Sequence, residues 1–180
     1  SYSQESCEAG GFCSDSQFED QTSCDAASES WTSHTWSADD QIQAQIDQYV
    51  FQNQIFNWAS QWAPHIIDVW GRSTVVVNED DVCNAYYDPN SSELHFFLPG
   101  QGCNNTGRIA DVSHHEWGHG FHWYNMLSGT YDGSMGEGLA DSIAFFQSGD
   151  HRIAPYFRTN GGSIREVETN YAYPEDIVNE

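Results

Sequence analysis

The chain of 180 residues contains no lysine, and its only strong cations are five arginines set against 27 acidic residues. Its formal net charge is −22 at neutral pH. Nucleic acids and anionic lipid surfaces carry charge of the same sign, so such a protein repels both. We therefore expect neither nucleic acid nor a membrane as a partner, and we interpret the excess of acid chiefly as a well-hydrated surface.

Long apolar segments are also absent. No run reaches the roughly eighteen apolar residues of a membrane-spanning helix, and the chain does not begin with the basic and then apolar pattern of a secretory leader. We expect any leader to have been removed already. The five cysteines of the chain favour a secreted or extracellular protein, and peptides or proteins are the partners that remain open.

Five cysteines favour an oxidising compartment, and none shows the C-x-x-C spacing of a structural zinc site, so we expect disulfides. The leading pairing joins Cys83 to Cys103, and closing this loop stabilises the fold by roughly 3 kcal/mol. Cys7, Cys13 and Cys24 remain near the N-terminus. One of these three is left without a partner, which suggests a bond to another chain or to a segment outside these residues.

Composition divides the chain into two parts. Residues 1–36 are rich in serine, acid and cysteine and poor in large apolar groups, which predicts a tail or linker. Residues 37–180 hold the apolar content for one domain. Calcium is a possible second cofactor, although the acidic residues of the tail lack the regular spacing of a calcium loop. These residues are Asp15, Glu19, Asp20 and Asp25.

Local patterns predict an α+β domain. Ser37–Asp40 has the form of a helix start, and apolar residues then recur at helical intervals, so an amphipathic helix is expected over 39–62 with a stop near Pro64. The apolar positions are Ile42, Ile46, Tyr49, Phe56 and Ala59. Strands are expected at 74–77, 82–87 and 94–98, the last two joined by a turn at 88–92.

The chemistry centres on His115–His119, which reads His-Glu-Trp-Gly-His. Two histidines four residues apart share one face of a helix, so both imidazoles can reach a single metal ion. Glu116 is positioned to act as general base without being a ligand. Glu137 and Asp141 share one face of a following helix, and they are expected as third ligand and as acceptor for a ligand histidine N–H. Three ligands and an open position predict a catalytic zinc site.

These two motifs, His-Glu-x-x-His and Gly-Glu-Gly-x-Ala-Asp, resemble those of the glutamate-liganded zinc peptidases, the thermolysin and fungalysin group. The similarity extends back through 83–88, 94–97 and 111–113, and it covers roughly residues 37–145. It implies a zincin-like fold in which a mixed sheet, with one strand along the cleft, packs on a long helix beside the His-Glu helix.

The resemblance also implies roles for further residues. Asn84 and Ala85 match the cleft strand that pairs with substrate, and Tyr131 matches a catalytic tyrosine, at a shorter spacing. Asp111 opens the His-Glu helix and is expected to cap it, with calcium binding as the alternative. Family members continue into a C-terminal helical lobe that this chain does not reach, so we expect a longer precursor or a partner chain to complete the cleft.

Two functions remain open from the sequence. The first is a secreted zinc endopeptidase in which a zinc-activated water attacks the peptide bond and Glu116 is the base. The second is a zincin-derived binding or assembly module that keeps zinc for structure. An intact Glu116 favours the enzyme, because a structural metal site needs no base.

Overall fold

The computed structural model describes residues 11–13, 31–33, 40–126 and 132–166. The chain divides into two compact units, Ser1–Asp39 and Asp40–Glu180. In the first unit, strands β1 (Gly11–Cys13) and β2 (Trp31–Ser33) pair antiparallel. The expected division into a tail and a domain stays a prediction.

The second unit confirms the α+β class. Its elements are α1 (Asp40–Ala59), α2 (Pro64–Trp70), β3 (Thr74–Val82), β4 (Ala85–Asp88), β5 (Glu93–Leu98), α3 (Ala110–Asn125), α4 (Gly133–Ser148), β6 (Arg152–Ile153) and β7 (Arg165–Glu166). A mixed sheet has the order β3-β5-β4, with β3 parallel and β4 antiparallel to β5. Strands β6 and β7 form a separate antiparallel pair. Among the described residues, no helix is both long enough and apolar enough to cross a lipid bilayer.

Helix α1 lies where the sequence predicts it, but its buried face is different. Ile42, Ile46 and Tyr49 are exposed, each by more than half of its surface. The buried positions are Ala44, Gln48, Ile55 and Ala59. Gln48 is held by polar contacts: its amide donates to the Gly107 carbonyl at 3.0 Å and its oxygen accepts from the Ser113 hydroxyl at 2.9 Å. Hydrogen bonds therefore dock the first half of this helix, and the apolar periodicity there is misleading.

The stop expected near Pro64 is followed at once by α2, which Pro64 itself begins. Proline suits the first turn of a helix because the N–H that it lacks would have no partner there. The predicted hairpin is present: β4 and β5 are joined by a turn in which Asp88 Oδ1 accepts from the Asn90 backbone N–H at 2.9 Å. The predicted disulfide between Cys83 and Cys103 is confirmed.

Helices α3 and α4 approach each other closely at Gly118. A Cβ atom added to Gly118 would lie 2.6 Å from the Ala140 Cα, which is backbone and cannot swing aside. A second glycine, Gly120, leaves room for the Trp70 ring, which stacks on the buried Trp117. Two glycines in one helix cost backbone entropy, and here they allow the contacts that bring α3 against its neighbours.

Asp111 does not cap α3. Helix α3 begins at Ala110 after Ile109, which places Asp111 within the first turn, where its side chain is buried. Its Oδ2 accepts from the Ala154 backbone N–H at 3.1 Å. Burial raises the pKa of this carboxyl, against the lowering effect of the Ala154 hydrogen bond. Asp111 therefore ties α3 to the segment that follows α4.

Substitution of Gly118 by alanine should separate α3 and α4, because the new methyl group meets backbone. We expect a loss of about 1–3 kcal/mol in the free energy of unfolding, typical of overpacking, measured by urea denaturation of the metal-free protein. Gly138→Ala is the matched control. A Cβ at Gly138 meets nothing within 4 Å, so this variant should keep or gain up to about 1 kcal/mol. An equal change in the free energy of unfolding for the two variants would contradict the close approach of α3 and α4 at Gly118.

His114 should make stability depend on pH. Burial lowers the pKa of His114 to about 4 from an ordinary 6.5. Between these values the unfolded chain binds a proton that the folded chain does not, so stability falls as pH drops through that window, by at most about 3 kcal/mol. His114→Phe should lose less stability between pH 7 and pH 4.5 than the parent, both measured metal-free. Exposed His151 replaced by glutamine should behave like the parent.

Candidate metal centre

The two helices bring three of the predicted residues to one point. His115 and His119 project from α3, and their Nε2 atoms lie 3.1 Å apart. Glu137, from the first half of α4, reaches both: its Oε2 is 3.2 Å from His115 Nε2 and its Oε1 is 3.2 Å from His119 Nε2. This arrangement of two imidazole nitrogens and a carboxylate could hold a metal ion.

Asp141 lies one turn beyond Glu137 and holds His115 from the other side. Its Oδ1 is 2.8 Å from His115 Nδ1, which leaves Nε2 directed towards Glu137 and His119. Arg165 of β7 makes a two-pronged contact with the same carboxylate, Nε to Oδ2 at 2.6 Å and Nη2 to Oδ1 at 2.7 Å. A carboxylate behind a ligand histidine sets its tautomer and its orientation.

His115, Glu137 and Asp141 shift one another's pKa values. Burial disfavours a proton on His115, but the carboxylates of Asp141 and Glu137 outweigh it and raise the pKa of His115 to about 9. Hydrogen bonds from the two histidines lower the pKa of Glu137. Burial would raise the pKa of Asp141, yet its bonds to His115 and Arg165 lower it. A metal ion entering this site must displace the histidine proton, so its affinity should fall in acid.

Glu116 lies beside the three candidate ligands and is not one of them. Its Oε2 is 4.0 Å from His119 Nε2, and only 7% of its side chain is exposed. The backbone of Tyr87 forms a hydrogen bond with its carboxylate. Burial raises the pKa of Glu116, opposed by the nearby histidines. A buried carboxylate with a raised pKa accepts a proton more readily than an exposed one, which suits acid–base chemistry.

An open cleft of about 630 Å³ is lined by His115, Glu116, His119 and Glu137, and it runs along the start of β4. Because β4 lies at the end of the sheet order, it is an edge strand among the described residues. Asn84 is exposed at the cleft, whereas Ala85 is buried and pairs with Phe96. The structure thus brings Asn84 and Ala85 to the same cleft as the metal centre. Their role in substrate binding stays a prediction.

Some predicted site residues lie outside the described residues. These are Tyr131 and the acidic residues of the tail, Asp15, Glu19, Asp20 and Asp25. The segment 153–165 also lines the cleft, and no sequence motif predicted this. Arg165 is the most important site residue that the sequence did not predict. No motif spacing links it to Asp141. The only feature that singles it out in the sequence is that cations are rare in this chain.

No protein-family model matches the chain, and no curated protein matches it.

Asp141→Asn should weaken metal binding while leaving the fold intact. The amide oxygen can still accept from His115 Nδ1, but the negative charge that favours this histidine as a ligand is gone. We expect about 10- to 100-fold weaker zinc affinity, measured by competition with a chromophoric chelator. The control is Asp68→Asn, which removes the same charge from an exposed position on α2. Unchanged affinity in Asp141→Asn would show that this contact does not support the site.

Proposed function

We propose that the protein is a zinc-dependent endopeptidase with a zincin-like fold, related to the thermolysin and fungalysin group. The observation that carries the proposal is the convergence of His115, His119 and Glu137 in an open cleft with buried Glu116 beside them. Three protein ligands with access for substrate are typical of catalytic metal sites, whereas structural zinc sites close with a fourth.

The separations within the ligand group fit zinc. Tetrahedral coordination with bonds of about 2.0–2.1 Å places ligand atoms roughly 3.3 Å apart. The three separations here are 3.1, 3.2 and 3.2 Å. Zinc, when bound by these groups, would supply a Lewis acid that activates water and polarises a peptide carbonyl. His115, oriented by Asp141, would hold its nitrogen towards that ion.

Glu116 is the general base in this proposal. It accepts a proton from the attacking water and then delivers that proton to the nitrogen of the departing amine. Its position supports both steps, since it faces the cleft and lies outside the ligand group. Burial, by raising its pKa, makes it a better proton acceptor than an exposed glutamate.

The substrate would be an extended peptide lying along β4. An edge strand can accept one more strand through its free backbone groups, and β4 borders the cleft beside the metal centre. Backbone pairing is independent of sequence, so it suits an enzyme that cleaves within chains. Asn84 and Ala85 are the residues expected to make this contact. Tyr131 remains the candidate for stabilising the anion formed at the carbonyl oxygen.

The proposal extends to the location of the protein and to its further partners and ions. The disulfide between Cys83 and Cys103 supports a secreted or extracellular location, because such bonds persist in oxidising compartments. A further segment or partner chain would complete the cleft as the helical lobe does in the resembling group. Calcium in the acidic tail belongs to the same proposal as a second, structural ion.

Two glutamine substitutions separate the proposed roles. Glu116→Gln should retain zinc but lower kcat/KM for peptide cleavage by about 10²–10⁴-fold, since it removes the proton acceptor. Glu137→Gln should weaken zinc binding itself. Glu93→Gln, in β5, is the matched control and should change neither. Zinc content by elemental analysis and cleavage by mass spectrometry give the two readouts.

These variants also test the competing function. A module that keeps its metal only for structure would retain zinc and cleave nothing, with or without Glu116. Peptide cleavage by Glu116→Gln at the parent rate would contradict the assigned base.

A further inference from the structure

Two arginines line the cleft, Arg158 and Arg165, and they differ in their ion pairing. Arg108 pairs with Asp40 at 2.7 Å, Arg152 with Asp150 at 2.8 Å and Arg165 with Asp141 at 2.6 Å. Among the described residues, Arg158 makes no ion pair, although the chain carries 27 acidic residues. It lies on the wall of the cleft, and it is exposed there.

The guanidinium of Arg158 is held in place by neutral contacts. Its Nη1 lies 3.2 Å from the Cys103 sulfur, and its Cζ lies 5.5 Å from the centre of the Phe157 ring. Its backbone is fixed as well, since its N–H donates to the Gly162 carbonyl at 3.2 Å and its carbonyl accepts from the Gly161 N–H at 2.9 Å. None of these contacts is with a carboxylate of the described residues, and together they orient the guanidinium before any ligand arrives.

The position of Arg158 relative to β4 defines what it can reach. Its Nη1 is also 3.9 Å from the sulfur of Cys83. Cys83 directly precedes Asn84 and the start of the edge strand β4. Tyr87, which contacts Glu116, lies four residues further along the chain, or about 13 Å at the rise of a β-strand. A group bound by Arg158 therefore sits a few residues from the bond to be cleaved.

We propose that Arg158 is a specificity-determining residue that binds a carboxylate of the peptide substrate. This inference rests on the proposed function, because it takes β4 as the strand that holds the peptide. A guanidinium recognises carboxylates through charge-assisted, often paired, hydrogen bonds. The carboxylate comes either from an aspartate or glutamate side chain or from the C-terminus of the peptide.

The overall charge of the protein makes such a residue useful. A net charge of −22 disfavours the approach of acidic peptides. A fixed cation in the cleft offsets that repulsion locally and selects the register in which an acidic peptide lies on β4. The preference for acidic over neutral peptides then depends on the side chain of Arg158, so a single substitution can test it.

The test uses the full 180-residue chain loaded with zinc, and short acetylated and amidated peptides in which glutamate or glutamine is placed at each position around the cleaved bond. At one position, glutamate should raise kcat/KM about tenfold over glutamine, mainly through KM. Arg158→Gln should abolish this preference. Arg152→Gln, which removes the same charge from a side chain that does not line the cleft, should retain the preference.

Peptides with a free C-terminus form the second arm. A preference for the free acid over the amide, lost in Arg158→Gln, would assign the carboxylate to the peptide terminus. Equal treatment of glutamate and glutamine at every position, together with equal treatment of acid and amide, would overturn the proposal. An equal loss of preference in Arg152→Gln would also overturn it.

Binding measured without turnover separates this proposal from the proposed function. The zinc-loaded Glu116→Gln chain should bind the preferred glutamate peptide about tenfold more tightly than its glutamine counterpart, by calorimetry. If the parent cleaves peptides without any charge preference, the peptidase stands and the role of Arg158 fails. If nothing is cleaved but the binding preference is present and depends on Arg158, the peptidase fails and the carboxylate site stands.

Discussion

The candidate site depends on the close approach of two helix backbones. Gly118 lies between the two candidate ligand histidines, and Ala140 lies between Glu137 and Asp141, so the point of contact is also the middle of the site. A side chain there would push α4 outward and carry both carboxylates away from the histidines. The separations of 3.1–3.2 Å among the three ligand atoms therefore follow from a packing constraint as much as from attraction between charges.

Charge is distributed unevenly between surface and cleft. Acidic residues dominate the chain, and three of its five arginines are neutralised by carboxylates. Arg165 is one of these three, and by gripping Asp141 it links β7 to the residue that orients His115. Arg158 lies on the same wall of the cleft and keeps its charge for a ligand under our proposal. Under this proposal Arg165 has a structural role, and Arg158 has a role in substrate selection.

Local patterns predicted what depends on short-range chemistry. The helical spacing of His115 and His119, the turn at Asp88 and the bond between Cys83 and Cys103 are all found in the structure. The buried face of α1 could not be predicted, because Gln48 is buried by hydrogen bonds to groups some sixty residues away, which no hydrophobic periodicity records. Arg165 was equally inaccessible, since its contact with Asp141 arises only from the tertiary fold.

The most direct measurement of the central claim is peptide cleavage by the zinc-loaded chain with and without a chelator. If the protein is a zinc endopeptidase, we expect a mixed peptide library to be cleaved, the chelator to stop cleavage and added zinc to restore it. Cleavage that survives removal of the metal would contradict the account. Absence of cleavage from a chain that demonstrably retains zinc at His115, His119 and Glu137 would contradict it too, and would favour a binding or assembly module.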